Sequence, residues 1–116
     1  MKKSILGSIV AGAVMAMATL SAHAEDTIKF GVAAEPYPPF TSPDASGKWV
    51  GWEIDLMDAV CAEMKAKCEV VPVAWDGIIP ALQAKKFDVI WSSMSITPER
   101  QQQIDFTDKY YQTPSV

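Results

Sequence analysis

The sequence predicts an α/β fold, and three observations carry that prediction. Short runs rich in β-branched and aromatic residues alternate with amphipathic or well-capped helical stretches. No internal repeat or low-complexity stretch interrupts the alternation, which is the pattern of strand and helix units layered on a sheet. The length of 116 residues is about one domain, on a scale of roughly 100–200 residues each.

Residues 1–24 read as export machinery rather than fold. They contain Lys2 and Lys3, a mostly apolar run over 5–20, and the small-residue site Ala22-His23-Ala24. The run carries Gly7, Ser8, Gly12 and Thr19 and is shorter than the ~20 apolar residues that span a bilayer, so cleavage before Glu25 is expected rather than an uncleaved anchor. The domain is then residues 25–116, which is 116 less 24, or 92 residues.

Along that domain, residues 28–33 form a first strand, and three prolines among positions 36–39 turn it into an extended loop. Residues 42–47 read as a turn before a short Trp49-Val50 strand. A helix follows over 53–65, with Leu56, Met57, Val60, Cys61 and Met64 as its apolar stripe. Glu53 and Asp55 fall in its first turn, where the helix dipole favours acids, and read as structural carboxylates. A strand over 69–73 leads through Trp75-Asp76 into a helix over 77–85, with Asp76 as N-cap and Pro80 near the limit of the first turn. After a strand over 88–91, Thr97 as N-cap, Pro98 at the first helical position and Glu99 behind it mark another helix start. Residues 105–107 read as one more short strand.

Charge and composition exclude several functions. Losing Lys2 and Lys3 with the signal takes the ten basic residues to eight against fourteen acidic ones, a net charge of −6. No cluster of Lys or Arg interleaved with aromatics is present, so nucleic acid is not an expected partner. The one histidine, His23, also leaves with the signal, removing the usual general base and the commonest metal ligand. Cys61 and Cys68 are the only cysteines, and export favours a disulfide over a free buried thiol pair. On one continuous helix their Cα atoms would stand ~10 Å apart, whereas a bridge needs ~7 Å or less, so the helix must end between them. A two-cysteine metal site without histidine is the alternative.

The chemistry gathers after the strand at 88–91. Ligands of open α/β sheets bind at the carboxyl ends of strands, where Ser92, Ser93 and Ser95 bring hydroxyls. Arg100 is the only arginine in the chain, and its planar fork near a helix start suits a carboxylate. The plain alternative is an arginine paired with a surface acid and serines solvating a loop.

These residues carry a resemblance. The run Ser92-Ser93-Met94-Ser95-Ile96-Thr97-Pro98-Glu99-Arg100, preceded by Trp75-Asp76-Gly77-Ile78-Ile79-Pro80-Ala81-Leu82 and Lys85-Lys86-Phe87-Asp88-Val89-Ile90, resembles the first lobe of the bacterial extracellular solute-binding proteins for polar amino acids. Gly51-Trp52-Glu53-Ile54-Asp55-Leu56 and Tyr37-Pro38-Pro39-Phe40 are similar to two further motifs of that family, in the same order. The resemblance implies a periplasmic-binding-protein-like type II fold, of which this chain holds an incomplete first lobe.

Carried over by position, Arg100 would hold the ligand α-carboxylate with help from Ser95, and Ser93 would face the α-ammonium with Ser92 nearby. Tyr37 and Trp75 would form two aromatic walls suited to an alkyl stem or guanidinium. The serine run and the spacing of the cysteine pair resemble the branch that binds arginine, lysine, ornithine or histidine. That branch places an acid three residues before the loop tyrosine; here the position is Ala34, and Glu35 is the acid within reach.

The family context implies a periplasmic protein, monomeric at full length, that delivers an amino acid to an inner-membrane ABC permease, with no cofactor, no metal and no catalysis. The same fold also serves as a periplasmic dehydratase and as the sensor module of receptors. A small-molecule site buries ~70–90% of its ligand, so one lobe is expected to bind weakly or not at all, and its unpaired sheet edges to associate.

Overall fold

The structure is a computed structural model that describes residues 27–114. The expected signal segment over 1–24 and its expected cleavage site lie outside the described residues. A parallel three-stranded sheet stands at the centre, built from β1 (Thr27–Ala33), β4 (Lys67–Val73) and β5 (Val89–Ile90) in the order β4-β1-β5. β1 pairs with β4 along its whole length, from Thr27 opposite Lys67 to Ala33 opposite Val73, and with β5 at Phe30 and Gly31. β2 (Ser42–Pro43) and β3 (Trp49–Val50) form a small antiparallel hairpin beside it. The turn expected over 42–47 is closed by Asp44, whose carboxylate accepts from the Ser46 and Lys48 amides at 2.8 and 3.0 Å.

Alternation along the strands produces two cores, one on each face of the sheet. Phe30, Val70 and Val89 face α1 (Trp52–Met64), where Ile54, Met57 and Cys61 are buried. Val71, Val73 and Ile90 face α2 (Ile78–Gln83), where Ile78, Ala81 and Phe87 form the second cluster. Gly31 lies between: a Cβ there would sit 2.4 Å from the buried Phe87 ring. Because β1 is covered on both faces, its Phe30, Val32 and Ala33 are all buried, as in strands of parallel sheets generally.

Several local expectations are revised. α1 runs from Trp52 to Met64, and its buried row is Glu53, Ile54, Met57 and Cys61, whereas Met64 is exposed. The expected helix over 77–85 resolves into a 3₁₀ turn, Trp75–Gly77, followed by α2, and Asp76 makes no capping bond. The Trp75 amide is instead bound by the Glu35 carboxylate at 3.1 and 3.3 Å, a contact forty residues distant that no local pattern encodes. Residues 105–107 are irregular rather than a strand, because they have no neighbouring strand to pair with among the described residues.

Other features follow the sequence closely. α1 ends with Lys65 in the left-handed region, and the Cys61–Cys68 disulfide joins it to β4 across a Cα separation of 6.3 Å. α3 (Pro98–Gln101) begins with Thr97 Oγ1 accepting from the Arg100 amide at 3.2 Å. The N-terminus of α1 has no side-chain cap; Trp52 and Glu53 donate to the carbonyls of Pro39 and Phe40 at 2.9 and 3.1 Å. That close approach requires Gly51, whose φ is 128° and where a Cβ would lie 2.2 Å from the Phe40 carbonyl.

Candidate functional site

The order β4-β1-β5 means that the chain crosses from one side of β1 to the other after β4, which makes the carboxyl end of β1 a topological switch point. The loops leaving all three strands meet there. Ala34 donates to the Val73 carbonyl at 2.9 Å, and Trp91 to the Gly31 carbonyl at 2.8 Å, so the loops start in register. Glu35 and Tyr37 follow β1, Trp75 follows β4, and Ser92 and Ser93 follow β5. These five residues line one cavity of about 250 Å³. Its size is below the ~300–1,000 Å³ usual for small-molecule pockets.

Each residue is held by an identifiable contact. Tyr37 donates its amide to the Thr41 carbonyl at 2.7 Å, stacks on Phe40 with centroids 5.2 Å apart, and leaves its ring 55% exposed. Trp75 is half-buried against the α2 core, and Glu35 fixes its amide. Ser92 is buried and its hydroxyl accepts from the Ala33 amide at 3.0 Å, continuing the β1–β5 pairing by a side chain. Its hydroxyl is therefore part of the frame. Ser93 adopts φ 53°, the left-handed region that residues with a Cβ rarely occupy and that clusters at functional sites.

Arg100 and Ser95 sit beside this cavity rather than in its lining. The Arg100 Nη1 donates to the Ser95 carbonyl at 3.0 Å, and the guanidinium carbon lies 5.6 Å from the centroid of the Trp75 ring, within cation–π range. Among the described residues no carboxylate forms an ion pair with it. Ser95 lines a second groove of about 600 Å³, which Tyr37, Ser92 and Ser93 share and which residues 104–113 wall on one side.

Sequence reasoning missed three contributors. Glu53, fully buried, accepts from the Ser93 amide at 3.0 Å and from the Tyr110 hydroxyl. The Tyr111 hydroxyl donates to Ser93 Oγ at 2.5 Å. Burial first, and then the neighbouring Glu53 carboxylate, hold the Tyr110 hydroxyl well above the usual tyrosine range; burial raises that of Tyr111 as well. A signal for Glu53 was present, since Glu53, Met57 and Cys61 fall at i, i+4 and i+8 on the buried row of α1. Trp49 and Trp91 pack on the core, whereas Trp52 is 44% exposed and joins Phe40, Tyr110 and Tyr111 in an aromatic cluster.

Comparison with known proteins agrees with this architecture. The sequence profile of the bacterial extracellular solute-binding proteins, family 3, matches residues 28–116. The chain is 46% identical over 116 residues to the lysine/arginine/ornithine-binding periplasmic protein of Escherichia coli (strain K12), covering 99% of this chain and 44% of that protein. It is similar to the crystal structure of an ancestral amino acid-binding protein described as a precursor of cyclohexadienyl dehydratase, at 48% identity and a TM-score of 0.69, covering 73% of this chain and 37% of that one. A further similar structure is the arginine-bound form of a point variant of domain 1 from TmArgBP, at 38% identity and a TM-score of 0.68, covering 73% of this chain and 65% of that one. The chain spans less than half the length of the curated relatives it matches. By the profile match over residues 28–116 and these identities, the chain belongs to the bacterial extracellular solute-binding proteins, family 3.

Proposed function

We propose that this chain is the first lobe of a periplasmic binding protein that captures a cationic amino acid and presents it to an inner-membrane ABC permease, residues 1–24 serving as the export signal. The observation that carries the reading is the convergence of Glu35, Tyr37, Trp75, Ser92 and Ser93 on one cavity, with Arg100 over the ring of the same Trp75. Arg100 spends one amino group on the Ser95 carbonyl and has the rest of its fork for an α-carboxylate. Ser93 offers its carbonyl and hydroxyl to the α-ammonium. Tyr37 and Trp75 flank an alkyl or guanidinium side chain, and Glu35 supplies the negative charge at its end. The acid is already drawn toward Trp75 by the amide it binds, so charge and aromatic wall come as one unit.

The name of the Escherichia coli relative supports the cationic class. A structure described as the arginine-bound form of domain 1 from TmArgBP, of which this chain covers 65%, supports some binding by a lone lobe. Lobe one then holds arginine by itself, with affinity below that of a two-lobe protein because only part of the ligand is covered. A dehydratase would need a free acid in the cavity. Glu35 is the one acid among its described lining residues, and its bond to the Trp75 amide leaves acceptor sites free, so substrate turnover rather than geometry separates the two readings.

Titration calorimetry of the chain with arginine, lysine, histidine and glutamate tests the reading. Arginine or lysine is expected to bind in preference to glutamate, and Arg100→Ala to weaken that binding by roughly 10- to 100-fold, the cost of losing a charge-assisted pair. Binding unchanged in Arg100→Ala, or no preference for the cationic ligands, would overturn it.

A further inference from the structure

We propose that Glu53 is a positioning residue for the ligand site: its buried carboxylate holds Ser93 in the left-handed conformation, and Tyr110 holds the carboxylate. This rests on the reading of Ser93 as a ligand contact. Glu53 is fully buried on the face of α1 that otherwise presents Ile54, Met57 and Cys61. An apolar side chain would fill that row without the desolvation a carboxylate suffers, so packing alone does not account for an acid there. What the acid does is specific. The Ser93 amide, turned out of the sheet ladder by φ 53°, has Glu53 Oε1 at 3.0 Å as its acceptor. The Tyr110 hydroxyl donates to the same oxygen, while Glu53 Oε2 is buried with no hydrogen-bond partner among the described residues.

Two further contacts show that the unit is tied together from both sides. The Trp91 indole N–H donates to the Glu53 carbonyl at 2.8 Å, fixing the first turn of α1 to the end of β5. The Tyr111 hydroxyl donates to Ser93 Oγ, so two adjacent tyrosines grip the acid and the serine it holds. A serine in this backbone region without the carboxylate would relax toward the extended conformations open to residues with a Cβ. The peptide groups on either side of Ser93 would then rotate away from the cavity that Ser92 and Ser93 line.

Glycine occupies the left-handed region freely, which supplies the test. Arginine affinity is measured by calorimetry for the chain and for Glu53→Ala, each with Ser93 intact and in the Ser93→Gly background. With Ser93 intact, Glu53→Ala is expected to weaken arginine binding by roughly 10- to 100-fold, as for loss of a buried charged acceptor. In the Ser93→Gly background the same change is expected to cost about twofold or less, because the backbone no longer needs holding. Glu53→Gln, which keeps an oxygen acceptor, is expected to restore most of the affinity and to shift the Ser93 amide proton upfield in the ligand-free NMR spectrum. Ser93 amide hydrogen exchange is expected to quicken in Glu53→Ala.

Equal weakening in both backgrounds would overturn the inference, as would an unmoved Ser93 amide in both Glu53 variants. If the Ser93 amide responds but the unsubstituted chain takes up no arginine, the ligand reading fails while the Glu53–Ser93 coupling stands.

Discussion

Arg100 and Glu35 show how one side chain can be readable in kind and unreadable in contact. The sequence marks Arg100 as a single arginine behind a Thr-Pro helix start, and the structure finds Thr97 Oγ1 on the Arg100 amide as that signature requires. That the guanidinium lies over Trp75, twenty-five residues earlier, depends on how β4 and β5 flank β1. Glu35 is visible as an acid beside the loop, yet its bond to the Trp75 amide exists only because Ala33 and Val73 are register partners. Tyr110 gives a prediction at this scale. Folding raises its pKa above the ordinary value of 10.0, so the neutral phenol is the form the fold prefers. The stability this contributes is present in full below pH ~10 and is lost as pH climbs beyond it. Thermal denaturation between pH 8 and 11 is expected to show a falling Tm above pH 10, with a shallower fall in Tyr110→Phe.

At the scale of elements, the helix and strand types follow from periodicity, and their ends follow from tertiary contacts. The Thr97-Pro98 start and the break of α1 before Cys68 are local chemistry, so they are legible. The 3₁₀ turn at Trp75–Gly77 is not, since the acceptor for its first amide comes from another loop. The first turn of α1 likewise depends on the carbonyls of Pro39 and Phe40, which stand in for the missing cap. The Cys61–Cys68 bridge carries the prediction here. It closes a short loop joining α1 to β4, and restricting such a loop in the unfolded chain is worth roughly 2–3 kcal/mol. The double variant Cys61→Ser with Cys68→Ser, or reduction by dithiothreitol, is expected to lower stability by about that amount in urea denaturation, with little change in the m-value.

For the whole molecule, the sheet edges decide the behaviour. β4 is an outer strand, but exposed Lys67, Glu69 and Pro72 discourage further pairing along it. The other outer strand among the described residues, Val89–Ile90, is apolar with no charge or proline of its own, and residues 104–113 wall the groove beside it without pairing to it. The chain is therefore expected to associate through the β5 side, and sedimentation velocity should give a weight-average mass that rises with concentration. A mass fixed at that of the monomer across a hundredfold range of concentration would refute this.

The sequence by itself determined the α/β class, the helix break within the cysteine pair and the Thr97 cap, because each depends on local periodicity or spacing. Only the tertiary structure decided that Ser92 serves the frame, that Glu35 caps a distant turn and that Glu53 reaches Ser93. Those contacts join residues about forty to sixty positions apart. They follow from the parallel register that brings three strand ends to one point, which no local pattern encodes.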